Sequence, residues 1–393
     1  MTQTHMLHRI FVACSIVVCL TLLAGSPARA AEPGYSKWFR YEATLGAQWD
    51  FTAVEGDENQ VRITRIDGSG PARKVFVLYP KPSSAYDVAI SKILTVFANK
   101  GVNAEFTVYN YGGDEKQGEQ AIAMAEKNGS ELIFSMGSRS TAYLWNNYKG
   151  GEIPVVSVCS KDPVLLGQMD SYDHGSGTNF AFTSLNMPVE VQMAYIVDFM
   201  PDLRNFAILV DSQNVSAVET QANPMAELAR EKGINVVMLS VDDPKNAAAE
   251  LDKLVPSAVA TMRKSDPLLE RSIFWITGST AVFREIETIN ANADRVPVLS
   301  VVPEVVAKGP DSAVMSIGIS FESNAHLASL YGYSVLQGTA KVSDLRVGIV
   351  SPPDIAINFL KVREIGLDIP FNFIESATFI YGYDGQAVRS TGG

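Results

Sequence analysis

The sequence contains two successive series of short apolar runs that alternate with helical patterns. The first series begins with KVFVLYP at residues 74–80, and its first helical pattern stops at Gly101. The second begins with FAILV at residues 206–210, and its matching helical pattern stops at Gly233. Continuous apolar runs with short connections are typical of parallel strands that are buried on both faces. Each series therefore predicts a doubly wound parallel sheet, and the chain is predicted to be an α/β protein of two lobes.

One strand of each series ends in the same kind of sequence. LIFSMGSRST, at residues 132–141, passes from an apolar run into glycine, serine and threonine, and IFWITGSTAV repeats this at residues 273–282. In open parallel sheets, ligands bind at the carboxyl ends of the strands. Small hydroxyl residues at such an end cap the next helix or donate hydrogen bonds to a ligand. If the two sheets face each other, both loops line one cleft.

Three segments are predicted to connect the lobes. They are FAFTSLNMP at residues 180–188, AVMSIGISFE at residues 313–322 and VGIVSPPDIAINF at residues 347–359. Three crossings predict a hinge that closes two lobes over a small molecule.

The crossings divide the chain into predicted domains. Lobe 1 is predicted at residues 73–184 plus 320–346, and lobe 2 at residues 185–319 plus 347–393. Residues 31–72 are predicted to be a leader of uncertain structure, in which QVRITRI at residues 60–66 alternates like a strand.

The first thirty residues have the composition of a secretory signal peptide. A basic start is followed by IFVACSIVVCLTLLAG and by a small-residue ending, Ala28-Arg29-Ala30. We expect cleavage near Ala30 and a periplasmic location; the alternative is an anchor that is never cut. Cleavage leaves Cys159 as the one cysteine, so no disulfide can form within one mature chain.

Composition and motifs argue against several classes of function. The formal net charge is −11 and there is no basic cluster, so nucleic acid is not expected as a partner. No nucleophile elbow, phosphate loop, zinc motif or dinucleotide fingerprint occurs, so we expect neither an enzyme nor a cofactor. A two-lobed racemase would need two facing cysteines. His174 and His326 are too isolated to form a metal site.

Several stretches resemble one family. GSRSTA, IPVVSVCSKDPV at residues 153–164, the helix start MPVEVQ, KGPDSAVMSIGISFE, and INFLKVREIGLDIP at residues 357–370 occur in the order found in that family. On these stretches, the chain from about Lys74 to Pro370 resembles ABC-transporter substrate-binding proteins of the type I periplasmic binding protein fold, related to tryptophan-binding lipoproteins. The resemblance implies capture of a small solute by a monomer and delivery to an inner-membrane ABC permease.

The resemblance also implies which residues line the cleft. From lobe 1 they are Ser83, Ser84, Tyr86, Ser138, Thr141, Ser160 and Asp162. From lobe 2 they are Asp211, Asn214, Gly278, Ser279, Thr280, Val301 and Val302, and Phe321 comes from a crossing.

The sequence departs from the family pattern where that family often carries aspartate. Leu185, Gly278 and Val302 stand at these positions. A carboxylate is the natural partner of a ligand ammonium group, so an ordinary α-amino acid is in doubt. The solute is expected to be amino-acid-like, aromatic or another small organic molecule: an anion, a less polar molecule, or an amine held by Asp211.

Several candidates also have a purely structural interpretation. Ser138, Ser140 and Thr141 are typical helix-capping residues, and Asp162 is a typical turn former before Pro163. Tyr86 and Phe321 suit either a ligand ring or the core. Arg139 suits either a ligand carboxylate or a surface acid.

Trp145 and Trp275 are expected in the core, and Cys159 is expected as a buried free thiol. The alternative function is a periplasmic ligand-binding module that feeds a sensor or receptor.

Overall fold

The computed structural model describes residues 34–306 and 309–390 of the chain. The predicted signal peptide at residues 1–30 lies outside the described residues. The described residues form two large sheets and a two-stranded sheet between them, with helices packed on the faces of the large sheets.

Lobe 1 is built on a seven-stranded sheet. Its strands are β1 (Trp49–Val54), β2 (Asp57–Arg65), β3 (Arg73–Tyr79), β4 (Ala104–Asn110), β5 (Leu132–Met136), β6 (Val155–Val158) and β7 (Phe180–Ala181), in the spatial order β1-β2-β4-β3-β5-β6-β7. The strands from β4 to β7 are parallel, as their apolar runs predict, whereas β1 and β2 are antiparallel.

Three helices of lobe 1 alternate with these strands, and a fourth returns from the far end of the chain. They are α1 (Ser84–Asn99), α2 (Glu115–Lys127), α3 (Gly137–Tyr148) and α10 (Phe321–Leu336). Helix α10 packs against α1 and crosses β5 at Gly332. A Cβ atom at Gly332 would lie 2.5 Å from Cζ of Phe134, so only glycine permits this close approach.

The leader is part of lobe 1 from Gly34 onward, and its strands belong to the lobe 1 sheet. The alternating pattern at residues 60–66 is confirmed as part of β2, which pairs with β4, while β1 forms the outer edge. Two 3-10 turns, Gly34–Lys37 and Ala43–Ala47, precede the hairpin. Phe39 and Trp49 are each 1% exposed, so this segment buries large aromatic side chains in the lobe 1 core.

Lobe 2 is built on an eight-stranded sheet. Its strands are β9 (Asn205–Asp211), β10 (Asn235–Val241), β11 (Ser272–Ile276), β12 (Val298–Ser300), β13 (Met315–Gly318), β15 (Asp354–Asn358), β16 (Phe379–Tyr381) and β17 (Ala387–Ser390). The order is β10-β9-β11-β12-β13-β15-β16-β17. The first five strands are parallel, and the third crossing then adds β15 antiparallel to β13.

The helices of lobe 2 cover both faces of its sheet. They are α4 (Val189–Phe199), α5 (Val215–Ala217), α6 (Asn223–Glu231), α7 (Ala247–Met262), α8 (Thr280–Phe283), α9 (Ile286–Asn292), α11 (Phe359–Ile365) and α12 (Phe371–Ser376). A π-helical turn at Val218–Ala222 joins α5 to α6 and carries Gln221 toward the ends of the strands.

The first and third predicted crossings pair in a small hinge sheet, and hydrogen bonds join them to the second crossing and to α10. Strand β8 (Thr183–Ser184) pairs in parallel with β14 (Gly348–Ile349). The Thr183 hydroxyl donates to Asn324 Oδ1 on α10 at 3.3 Å, and Asp354 Oδ2 accepts from Ser320 N at 2.9 Å. Each crossing is therefore tied to another, and the two lobes share this narrow connection.

Among the residues that the structure describes, no helix has the length and apolar character that a membrane span requires.

Candidate functional site

The strand β5 runs directly into helix α3, so the predicted loop at residues 137–141 is instead the first turn of that helix. Gly137 makes this possible because its φ is +72°, a conformation that favours glycine. The Tyr86 hydroxyl lies 2.1 Å from the position of a Cβ atom at Gly137, so the tyrosine packs directly on this backbone. Tyr86 is buried, and burial raises the pKa of its hydroxyl.

The two predicted hydroxyl residues of α3 have different partners. Ser138 Oγ accepts a hydrogen bond from Lys161 N at 2.9 Å, which joins the ends of β5 and β6. Thr141 is fully buried; its hydroxyl donates to Gly137 O at 3.0 Å and lies 2.9 Å from Ser135 Oγ. The Thr141 hydroxyl thus holds the start of α3, and Ser138 is the one placed beside the neighbouring strand end.

The residues after β6 form the centre of the site. Cys159 has a φ of 53°, which is rare for a residue with a side chain. Its backbone N donates to Asn324 Oδ1 at 2.7 Å, and this bond fixes the unusual conformation. Ser160 and Lys161 follow, and both are buried.

Asp162 has a structural role in this segment. Its Oδ1 accepts from Val164 N at 2.8 Å and from Leu165 N at 3.1 Å, and its Oδ2 accepts from the Tyr172 hydroxyl. Both carboxylate oxygens therefore stabilise a turn, in agreement with the turn-forming interpretation.

The lobe 2 part of the site lies at the ends of β9 and β11. Gly278 N donates to Gln221 Oε1 at 2.8 Å. Ser279 is buried, and its Oγ accepts from Asp211 N at 3.4 Å and from Asn214 Nδ2 at 3.5 Å. Thr280 follows as the first residue of α8. The structure therefore brings together five predicted residues: Asp211, Asn214, Gly278, Ser279 and Thr280.

Lys161 connects the two halves of the site. It leaves β6 of lobe 1, and its Nζ donates to Gln221 Oε1 of lobe 2 at 3.2 Å. The same Nζ lies 2.1 Å from the position of a Cβ atom at Gly278. Lys161 is 7% exposed, and burial lowers the pKa of its ammonium group to about 8. The two predicted strand ends thus face each other, and a buried cation lies between them.

A second buried charge lies beside the hinge. Glu304, in a 3-10 turn at Pro303–Val305, accepts from Phe321 N at 2.7 Å through Oε1. Its Oε2 is buried and has no hydrogen-bond partner among the described residues. Burial raises the pKa of this carboxyl to about 7. Phe321 is buried and begins α10. Glu304 therefore places a buried carboxyl group with one unused oxygen beside the hinge.

The predicted residues after β3 lie at the start of α1. Ser83 is the buried residue before the helix, and its side chain makes no capping hydrogen bond, while Ser84 is exposed. Val301 and Val302 are buried after β12.

A family profile described as ABC transporter substrate binding protein matches residues 74–380. The chain belongs to this family. The match leaves out residues 34–73, although these form the first two strands of the lobe 1 sheet. A comparison with curated protein sequences gives no match.

Solved structures agree with this family assignment. A conserved domain protein from Vibrio cholerae is 20% identical, with a TM-score of 0.63, over 79% of this chain and 100% of that one. An ABC domain in complex with L-Trp from Streptococcus pneumoniae is 19% identical, with a TM-score of 0.62, over 79% and 100%. A ligand-free, open substrate-binding protein with adhesive properties from Clostridium difficile is 19% identical, with a TM-score of 0.58, over 77% and 97%. These similarities confirm the predicted type I periplasmic binding protein fold.

Sequence reasoning missed three residues of this substrate-binding family member that occupy the site. Lys161 lies between Ser160 and Asp162, two predicted cleft residues, so the sequence indicates its position. Gln221 lies on a π-helical turn well after the end of β9, and Glu304 lies on a 3-10 turn after β12. No sequence motif marks either residue.

Other candidates lie elsewhere. Arg139 is exposed, and its guanidinium donates to Gly113 O at 3.4 Å, so it contacts neither the cleft nor a surface acid. Trp275 is 1% exposed in β11, and Cys159 is a buried free thiol, as expected. The described residues contain no cluster of three or more potential metal ligands.

A groove of about 320 Å³ lies on lobe 2 away from the cleft. Asp294, Arg295 and Val298 line it at the amino ends of the strands. Ligands of open parallel sheets bind at the opposite, carboxyl ends, so we place the candidate site in the cleft.

Proposed function

We propose that this substrate-binding family member captures a small molecule between its lobes and delivers it to an inner-membrane ABC permease. The observation that carries the proposal is the pair of opposed strand ends, joined across the cleft by Lys161 and Gln221. A site built half from each lobe becomes complete only when the lobes close. A partner that recognises the closed form then distinguishes the solute-bound protein from the solute-free protein.

The hinge is suited to this movement. Within the described part of the chain, three crossings connect the lobes, and β8 and β14 pair over two residues each. A few residues at element ends can absorb the rotation of a lobe without disturbing either sheet. We therefore assign the solute-free protein an equilibrium between open and closed forms, and solute binding favours the closed form.

The ligand contacts that we propose come from both sides of this cleft. Lobe 1 supplies Ser83, Tyr86, Ser138 and Ser160, and lobe 2 supplies Gly278 and Thr280. Phe321 closes the hinge side. Asp211, Asn214 and Ser279 form a hydrogen-bonded cluster behind Gly278 and support it.

Solute capture is tested by a thermal-shift screen of the purified mature protein against small organic molecules. A solute at 100 times its Kd stabilises the protein by about 2.7 kcal/mol, which raises the midpoint of unfolding by several degrees. Ser138→Ala should then weaken binding of each hit, whereas Ser84→Ala, at an exposed position, should have a smaller effect. Hits whose affinity is unaffected by every cleft substitution would show that the solute binds elsewhere.

Delivery is tested with the permease reconstituted in liposomes. The solute-loaded protein should stimulate ATP hydrolysis by the permease more than the solute-free protein does. If neither form does so, and the loaded form instead binds a sensor or receptor domain, the alternative function as a sensory ligand-binding module is correct.

We propose a periplasmic location for the monomeric mature protein, with cleavage near Ala30. Mass spectrometry of the exported protein tests the cleavage position, and light scattering tests the monomeric state. An exported chain that retains residues 1–30 would show that the segment is an anchor.

A further inference from the structure

Lys161 has more hydrogen-bonding capacity than the described residues use. Its ammonium group has three donors, and Gln221 Oε1 is the acceptor it has among those residues. No described carboxylate lies within 4.0 Å of it, because the ion pairs of the described residues all join other lysines and arginines. A buried cation is normally paired. Two of the three N–H donors of Lys161 therefore have no acceptor among the described residues.

The neighbouring hydroxyl groups also lack acceptors. Ser160 is 1% exposed, and its Oγ has no hydrogen-bond partner among the described residues. Ser138 Oγ accepts from Lys161 N, which leaves its own proton free to donate. Three donor groups on the neighbouring ends of β5 and β6 thus have hydrogen-bonding capacity that the described residues do not use. Such a set suits a compact group with several acceptor oxygens.

The lobe 2 wall makes room for the Lys161 ammonium group. Gly278 has no side chain, and Lys161 Nζ lies 2.1 Å from where its Cβ atom would be. A carboxylate side chain at this position would pair with Lys161 and would repel an anionic solute. Because glycine stands here, Lys161 meets no carboxylate at this point of lobe 2.

We propose that the solute carries a carboxylate that binds Lys161 in the closed cleft. The inference rests on the proposed solute-binding function and names the chemical class of the ligand. A single cation balances one negative charge, so a monocarboxylate fits better than a phosphomonoester, whose double charge would leave an unpaired charge in a buried site. The carboxylate accepts from Lys161 Nζ and from the Ser138 and Ser160 hydroxyl groups.

The site also couples recognition to closure. Lys161 belongs to lobe 1, whereas Gln221 and Gly278 belong to lobe 2. An anion held by Lys161 replaces an unpaired buried charge with a pair when the lobes come together. Closure is therefore more favourable with a carboxylate solute than without one.

The test uses the mature protein and a matched library of organic monocarboxylates, their primary amides, phosphomonoesters and amines. We expect every solute that raises the unfolding temperature to carry a carboxylate, and its amide to bind at least roughly 10-fold more weakly. Lys161→Met should weaken binding of these acids by roughly 10- to 100-fold, and Lys161→Arg should weaken it less.

A second variant tests the inference while leaving Lys161 unchanged. Gly278→Asp places a carboxylate beside Lys161 Nζ and should also weaken binding of the acids by at least roughly 10-fold. Gly46→Asp is the matched control, because a Cβ atom at Gly46 meets nothing within 4 Å. It should leave binding unchanged.

The outcomes separate this inference from the proposed function. Hits that are amides, amines or phosphomonoesters, or acids whose Kd changes less than about twofold in Lys161→Met, would overturn the carboxylate inference and leave solute binding intact. A library in which no compound binds the wild-type protein would overturn both.

Discussion

At the scale of residues, the proposed recognition of a carboxylate depends on the charge of Lys161. A lysine that is 7% exposed and has no carboxylate partner within the described chain costs stability, because burial disfavours its charged form. Such a cost to the stability of the solute-free protein is expected of a ligand-binding residue, because selection maintains binding rather than maximal stability. A structural lysine would instead be paired and would stabilise the fold.

This difference gives a prediction for the solute-free protein. Lys161→Met should increase the free energy of unfolding at pH 7 by up to about 3 kcal/mol, since the pKa of Lys161 falls from 10.5 to about 8 in the folded state. The gain should be complete below pH 8 and should disappear as the pH rises from 8 to 10.5, where the wild-type lysine becomes neutral in the folded state first. Urea unfolding at pH 7 and pH 10.5 measures it. A less stable variant at pH 7 would mean that Lys161 has a structural role.

Binding of the carboxylate solute should also depend on pH. The anion binds the protonated lysine, so the contribution of Lys161 to affinity should be constant below pH 8 and should fall by up to about tenfold per pH unit above it. The Glu304 carboxyl, with a pKa of about 7, titrates below this range and does so in both proteins compared here. Cys159 is the titratable group whose charge acts on Lys161, and burial raises the pKa of that thiol far above this range. Calorimetric titration between pH 7 and pH 10 in wild type and Lys161→Arg measures the effect. The arginine variant should show no fall, and an identical fall in both proteins would exclude Lys161 as its source.

At this scale the sequence indicates which segments end at the cleft better than which of their side chains point into it. The pattern after β6 favours Ser160 and Asp162 as candidates, whereas the structure places Lys161 against lobe 2. Cys159 adopts a φ of 53°, which changes the direction of the following side chains relative to a regular strand. Asp162 turns away because Val164, Leu165 and Tyr172 hydrogen bond to its carboxylate. Neither effect has a signature in the sequence.

At the scale of elements, apolar runs predicted the parallel strands well. β3, β5, β9 and β11 are fully or almost fully buried, and each was visible as a continuous run. The hairpin of β1 and β2 was harder to recognise, because β1 is an edge strand whose residues are mostly exposed or half-buried. The strands β15 to β17 lie at the end of the third crossing and beyond it, with β15 antiparallel to β13 and β17 antiparallel to β16, and they have no counterpart in the repeated series.

The leader gives an element-scale prediction. Phe39→Ala should reduce the free energy of unfolding by about 3–5 kcal/mol, because the ring is 1% exposed in the lobe 1 core and contacts Tyr79 in β3. Ile66→Ala is the control, since Ile66 is 52% exposed and should change stability by less than about 0.5 kcal/mol. Solute affinity should be unchanged in both variants. Equal stability of the two variants would mean that the leader is not part of the folded lobe.

At the scale of the whole molecule, the proposed function requires that the two lobes move relative to each other. Each lobe has its own sheet, and Lys161 and Gln221 contact each other across the cleft. The duplicated series predicted this arrangement, because two sheets with equivalent strand ends form one site only when they face each other. The identity of the solute depends instead on a few side chains, which explains why the sequence left an anion, a less polar molecule and an amine open.

The most direct measurement is the distance between the lobes with and without solute. Spin labels at Asn146→Cys on α3 and Arg230→Cys on α6 occupy exposed positions, and the buried Cys159 is protected from labelling. Double electron–electron resonance should show a broad distance distribution that becomes shorter and narrower with a saturating carboxylate hit. In Lys161→Met the same concentration should leave the distribution broad. An unchanged distribution in the wild-type protein at a solute concentration that saturates binding would contradict capture between the lobes.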